Sequence, residues 1–308
     1  MAVFYYPDSV PSSPCAAIAT VGMFDGVHSG HRHIVAALKA EGEDRGLRSV
    51  VVTFDRHPRT VLGRAGDGFG LLCTLDERLQ ILQRLGDIDI VVLPFTEQFA
   101  RLSACRFLSQ VLCEGLNAKA LLLGYDNQFG SRTDNDFDQL PAVADAMGVV
   151  LLHDSPVMVD GAAVSSTRVR KALAAGNVRL ASVLLGYDYR LTGTVEQGRH
   201  VGSRLGIPTA NISPDEQRMI PQEGVYAVRV EIDDKEWRGV SNVGTSPTFG
   251  VTKSLIETHI IGFDGDLYGS RLSIDFVERL RDTRHFDSVE ALRQAMLGDI
   301  EKAKGVLG

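Results

Sequence analysis

Two histidines three residues apart, His28 and His31, close the string GMFDGVHSGH that runs from Gly22 to His31. Gly22, Gly26 and Gly30 in that string let a backbone approach a ligand closely. A helix is expected to begin near His31, and the free N–H groups at a helix start favour an anion. Both imidazoles can then be aimed at one phosphate and donate hydrogen bonds as negative charge develops on its oxygens. Phe24 and Asp25 fall in the same turn and are grouped with these glycines as nucleotide or phosphate contacts. The chain has no GxGxxG and no GxxxxGK[ST], so neither a dinucleotide fingerprint nor a P-loop accounts for the turn. The plainer alternative, a tight turn carrying two surface histidines, stays open on these residues alone.

Two further groups carry chemistry. Ser166 and Thr167 stand at the entry to an expected helix, where hydroxyls and backbone donors suit outer phosphates, and Arg168 adds a planar fork. They also fit an N-cap and a solvated face. In GSRLGIPTANI, Gly202 to Ile212, the glycines Gly202 and Gly206 suit phosphates, while Thr209 and Asn211 alternate outward on one face of an extended segment. Two neutral oxygens suit Mg2+, which takes the rest of its shell from water and ATP. A turn closed by Thr and Asn after Pro208 is the alternative.

These residues need a scaffold, and the pattern supplies one. The first half alternates strand-like runs (17–21, 49–53, 89–94, 118–124 and 149–152) with helical stretches, the mark of a parallel sheet buried on both faces. One helix opens on Thr74 and Glu77 as a capping box, with Leu75, Leu79, Leu82 and Leu85 on a stripe. Another follows Ser103 and carries Phe107, Val111 and Leu112; two more, 166–173 and 178–185, close this half. From Tyr187 the pattern turns to period two, over 191–196, 225–232, 237–243, 255–261 and 272–276, as in a small antiparallel barrel or sandwich. A terminal helix capped by Asp287 or Ser288 presents Val289, Leu292, Met296 and Ile300. The boundary falls near Gly186, giving domains 1–185 and 186–308. The run TDNDFDQ at 133–139 reads as a solvated loop.

At 308 residues the chain has room for two cores, and 44% hydrophobic with 23% charged residues is the mix of a soluble globular protein. A net charge of −7 offers no diffuse attraction to nucleic acid or anionic membrane. Pro7, Asp8, Pro11 and Pro14 do not make a signal peptide, and no run spans a bilayer, so a cytoplasmic protein is expected. Cys15, Cys73, Cys105 and Cys113 form no CxxC pair and are expected to be buried free thiols.

HxGH is the signature of the nucleotidylyltransferase superfamily, and GMFDGVHSGH resembles its flavin-specific branch, the prokaryotic bifunctional riboflavin kinase/FAD synthetases. Thr53-Phe54-Asp55 with His57-Pro58 resembles TFDPHP, GYDNQFG at 124–130 resembles GxDFxFG, and VSSTRVR at 164–170 resembles ISSTRIR. PTAN at 208–211 is the mark of riboflavin kinases, and PQEGVYA at 221–227, SNVGTSPTF at 241–249, ETHIIGFDGDLYG at 257–269 and LRDTRHF at 280–286 follow that domain in order. The resemblance implies a Rossmann-like α/β nucleotidylyltransferase domain followed by an antiparallel β-barrel kinase domain with a terminal helix. It implies phosphorylation of riboflavin to FMN and adenylylation of FMN to FAD, with ATP and Mg2+ and with pyrophosphate released in the second step. By the same resemblance Glu257 is the general base, a role a carboxylate within reach of the hydroxyl can fill. Phe54, Asp126, Asn127 and Arg281 are the expected flavin contacts. Met23, Asn127, Ser246 and Thr283 depart from the family pattern, as does the position of Arg204, which bears on affinity and not on reaction type.

Overall fold

Short apolar runs of Ala, Ile, Val and Leu form the strands of a six-stranded sheet: β1 (Val3–Tyr5), β2 (Ala17–Val21), β3 (Arg48–Phe54), β4 (Asp89–Leu93), β5 (Ala118–Leu123) and β6 (Val150–His153). This computed structural model describes residues 2–8, 15–66, 68–125, 136–198, 201–233, 235–248 and 251–308. All pairings in the sheet are parallel and the order is β1-β4-β3-β2-β5-β6. Between the strands lie α1 (Ser29–Arg45), α2 (Pro58–Val61), α3 (Leu75–Gln83), α4 (Glu97–Ala100), α5 (Ala104–Arg106) and α6 (Asp136–Ala146). A π-helical stretch, Phe107–Gly115, continues α5.

Alternation along the strands feeds two cores. Ala17, Ala19 and Val21 pack with Phe107, Leu108, Val111 and Leu112 on one face. Ile18, Val51, Ile90 and Val92 meet Ile34, Val35 and Leu38 of α1 and Leu79 and Leu82 of α3 on the other. The capping box at Thr74 and Glu77 is formed, as its sequence signature indicates. Chain order runs outward from β2 in both directions, to β3 and β4 on one side and to β5 and β6 on the other. The end of β2 is therefore the topological switch point, where open α/β sheets bind ligands.

Several expectations need correction here. β6 is an edge strand and stays half-exposed, because only β5 flanks it. Of the run 133–139, residues 133–135 lie outside the described residues, and 136–139 open α6 rather than forming a loop: Asp138 and Gln139 stay exposed, while Leu140 and Ala144, four apart, carry the helix into the core. The sequence pattern gave no sign of β1, too short for a period, or of the hairpin β7 (Met158–Val159) and β8 (Ala162–Ala163). Of the four free cysteines only Cys73 is buried; Cys15 is exposed ahead of β2, and Cys105 and Cys113 are half-buried.

By contacts the chain divides into Met1–Ser165 and Ser166–Gly308. The second unit begins with α7 (Ser166–Ala174) and α8 (Val178–Leu185). Its strands are β9 (Tyr189–Glu196), β10 (Ala210–Pro214), β11 (Gly224–Ile232), β12 (Lys235–Thr248), β13 (Val251–Ile260) and β14 (Arg271–Arg281), with α9 (Val201–Arg204) between β9 and β10. They close a barrel in the order β10-β13-β12-β11-β14-β9, every pair antiparallel. Tyr189, Leu191 and Val195 of β9, Val228 and Val230 of β11, and Ile274 and Phe276 of β14 are buried at period-two spacing. α10 (Val289–Leu307) is capped by Ser288, whose hydroxyl accepts the Ala291 N–H. The contact division falls ahead of the change in pattern at Gly186 because α7 and α8 pack with the barrel: the Gln222 N–H donates to Leu173 O, and Arg179 pairs with Glu278 at 2.5 Å.

Candidate functional site

In the first unit the switch point is occupied by the turn from Gly22 to His28. The helix beyond it starts at Ser29, two residues earlier than the sequence suggests, because His28 itself is the N-cap: its Nδ1 accepts the His31 N–H at 3.3 Å. An accepting Nδ1 leaves the ring proton on Nε2, so His28 can donate outward. The His28 and His31 rings stack, with centroids 3.6 Å apart and planes at 13°, and Phe24 lies 5.0 Å from His31. The first turn of α1 holds no acid, which leaves its N-terminus open to an anion. Burial first, then repulsion from His28 once that ring is protonated and from the Arg78 charge, holds His31 well below the ordinary imidazole range.

The turn is strained and splinted. Phe24 (φ +50°) and Val27 (φ +35°) take left-handed backbone, as does Gly26 (φ +76°). A Cβ at Gly22 would meet the Phe24 ring at 3.1 Å, and one at Gly30 the His28 ring at 3.2 Å. The Asp25 carboxylate is buried and accepts from Leu72 N–H (3.0 Å) and Cys73 N–H (3.2 Å), and the Gly26 N–H donates to Cys73 Sγ. Arg78 donates to the carbonyls of Met23 and Phe54. Phe54 itself packs in the core against Phe95 and Phe99.

In the second unit, register assembles residues far apart in sequence. Asn211 of β10 lies opposite Glu257 of β13, and Glu257 lies opposite Asn242 of β12, so the carboxylate stands between two carboxamides. A cavity of about 230 Å³ opens beside them, lined by Gly202, Thr209, Asn242, Glu257, Arg281 and Met296 among others. Gly202 sits beneath Thr209, where a Cβ would meet Thr209 Oγ1 at 3.1 Å; Gly206 (φ +74°) turns the chain between them. Gly198 leaves room for the Asn211 carboxamide, which a Cβ there would overlap. Asn211 Oδ1 is buried and has no hydrogen-bond partner among the described residues, which fits an oxygen kept for a cation.

Arg281, expected to meet flavin, spends its guanidinium on Asp299 of α10 through Nε (3.0 Å) and Nη2 (2.7 Å) while lining the cavity. Ser166, Thr167 and Arg168 form the first turn of α7, which starts at Ser166 as the expected helix 166–173 does, and belong by contacts to the second unit. Asp126 and Asn127 lie outside the described residues. Sequence reasoning missed Asn242, Asp299 and Arg78. Asn242 stands inside the quoted string SNVGTSPTF, but its place beside Glu257 follows from cross-strand register, a non-local fact. Among the described residues no helix is long and apolar enough to cross a membrane.

A phosphate-ready turn at the switch point of a parallel sheet, with a carboxylate and neutral oxygens at a barrel cavity, defines a two-unit nucleotide-dependent transferase. The family profile described as FAD synthetase matches residues 10–168, and that described as riboflavin kinase matches residues 185–307. The chain is 37% identical to the bifunctional riboflavin kinase/FMN adenylyltransferase of Pseudomonas fluorescens over 94% of its length and 92% of that protein. It is 33% identical to the protein of the same name in Escherichia coli K12, over 97% and 94%. A crystal structure from Streptococcus pneumoniae, described as a macrolide-efflux protein, superposes with a TM-score of 0.87 at 31% identity over 95% of both chains. The chain belongs to the bifunctional riboflavin kinase/FMN adenylyltransferase family.

Proposed function

We propose that the chain makes FMN from riboflavin and then FAD from FMN with ATP as donor in both steps, the adenylyltransferase in residues 1–185 and the kinase in residues 186–308. The observation that supports the reading is the register that sets Glu257 between Asn211 and Asn242, with Glu257 and Asn242 lining the cavity. In the kinase step the 5'-hydroxyl of riboflavin attacks the γ-phosphorus of ATP, ADP leaves, and Glu257 takes the hydroxyl proton. Thr209 and Asn211 would hold Mg2+, which supplies positive charge against the phosphates. Gly202 and Gly206 shape the nucleotide side of the cavity.

In the second step the FMN phosphate attacks the α-phosphorus of ATP and pyrophosphate leaves. No covalent intermediate with the enzyme is needed, so the protein positions the reactants and meets developing charge. His28 and His31 donate to that charge; Gly22, Phe24, Asp25, Gly26 and Gly30 form the cradle; Ser166, Thr167 and Arg168 take the outer phosphates. Phe54, Asp126, Asn127 and Arg281 are the flavin contacts of this reading, and its setting is the cytoplasm.

The test follows the flavins by chromatography after incubation with ATP and Mg2+. His31→Ala should accumulate FMN from riboflavin and lose roughly a hundredfold or more in FAD formation. Glu257→Gln should lose ~100-fold or more in kinase turnover yet convert supplied FMN to FAD at the wild-type rate. A Glu257→Gln protein with wild-type kinase turnover, or one histidine change that lowers both rates equally, refutes the assignment.

A further inference from the structure

Segment 72–78 wraps the phosphate turn from one side, since Asp25 accepts from Leu72 and Cys73 and the capping box fixes the start of α3. Within α3, Arg78 is 2% exposed. Its Nη1 donates to Met23 O at 2.7 Å and its Nη2 to Phe54 O at 2.5 Å. Phe54 ends β3 and Met23 follows β2, so one guanidinium bridges the ends of two adjacent strands at the switch point. The Thr53 hydroxyl joins it on Met23 O at 3.2 Å. A buried guanidinium carries a heavy desolvation cost, seen in the lowering of its own proton affinity by burial. A neutral donor could hold a carbonyl without that cost, which leaves the charge and the fork to be explained.

We propose that Arg78 is a positioning residue for the adenylyl transfer, its fork holding the strand ends so that the turn carrying His28 and His31 keeps its strained form. The proposal rests on the reading that this turn transfers the adenylyl group. Direct hydrogen bonds from Arg78 go to carbonyls, while Asp25, Asp55 and Cys73 act on it through the field. His28 and Arg78 both bear on His31 and, after burial, disfavour its protonated form. An anion arriving at the turn would meet that same positive charge.

The experiment uses full-length Arg78→Met and Arg78→Lys, with two readouts: FMN-to-FAD turnover, and the titration of His31 by NMR, assigned with His31→Ala. Arg78→Met should cut turnover roughly a hundredfold, the loss expected when reacting groups shift by about an ångström. His31 should then titrate closer to its ordinary range. Arg78→Lys keeps the charge but not the fork; His31 should still titrate low, and turnover should fall about tenfold with KM for FMN little changed. If Arg78→Met does not fold, Arg78→Lys decides: a wild-type turnover overturns the proposal, and a loss at unchanged melting temperature supports it. A folded Arg78→Met with turnover within about threefold of wild type, or an unmoved His31 titration, also overturns it. Retention of full FAD synthesis by His31→Ala would instead refute the underlying functional reading, leaving the NMR result on Arg78 to stand by itself.

Discussion

Replacing Asp299 by alanine tests how the wall of the kinase cavity is held. Asp299 and Arg281 are 5% and 19% exposed in their side chains and share three close contacts, Nε to Oδ1 at 3.0 Å, Nε to Oδ2 at 3.1 Å and Nη2 to Oδ2 at 2.7 Å. A pair this buried differs from a surface pair worth under about 1 kcal/mol, because removing one partner leaves the other charge without compensation, at about 3–5 kcal/mol. Arg281 cannot easily swing out: its Nη1 holds Asp282 O at 2.9 Å and its guanidinium lies over Phe286. At about 2–4 °C per kcal/mol for a unit of this size, the transition of the second unit should fall by roughly 10 °C in calorimetry. Because both residues line the cavity, KM for riboflavin should rise, while FAD synthesis from supplied FMN at 25 °C should hold. Arg281→Met with Asp299→Leu should regain most of the melting temperature, since an apolar pair of similar volume tolerates burial, but not the KM. A melting temperature within about 2 °C of wild type for Asp299→Ala would refute the argument and place the pair with ordinary surface contacts.

Three other outcomes follow from the same geometry. Asn211→Ala should weaken metal-nucleotide binding in the kinase step, and raised Mg2+ should recover part of the rate in a flavin assay; Glu257→Gln should show no such recovery. Because His31 is held below its ordinary value near 6.5, the unfolded chain takes up a proton there that the folded chain refuses. Stability of the first unit should therefore be complete above about pH 6.5 and decline as pH falls below it, and His31→Asn should flatten that decline in urea titrations. A fragment 186–308 lacks α7 and α8, whose Leu173, Leu184 and Leu185 are fully buried at about 1.5–3 kcal/mol each. It should melt well below a fragment 166–308, and equal melting would show that the two helices add nothing to the barrel.

Periodicity made the fold largely legible. Continuous apolar runs between helical stripes announced a parallel sheet, and the Thr74/Glu77 box marked α3 to the residue. What escaped were elements whose stability comes from elsewhere. β1 is three residues long and is held by pairing with β4, and α6 begins on acidic residues that resemble a solvated loop until Leu140 and Ala144 meet the core. For the second unit the pattern left barrel and sandwich open, because it tells which face is buried and not which strand lies beside which, and only the resemblance pointed to the closed barrel that forms.

The same limit separates the legible part of the sites from the rest. His28, His31, Thr209 and Asn211 could be proposed from sequence because the chemistry read into them lies in short strings. Asn242, Arg78 and Asp299 could not, because each lies beside a residue that only the fold brings near: Glu257 across a strand pair, Met23 and Phe54 across two strand ends, Arg281 across a helix packed on a barrel. In each case the residue in the local string meets a partner that is distant in sequence. Catalysis that works by placing phosphates rather than by bonding to them depends on that second set as strongly as on the first. The strained turn at Phe24 and Val27 shows why. Left-handed backbone at non-glycine residues persists only where neighbours enforce it, and here Asp25 and Arg78 do so from opposite sides of the charge balance, one accepting amides and the other donating to carbonyls.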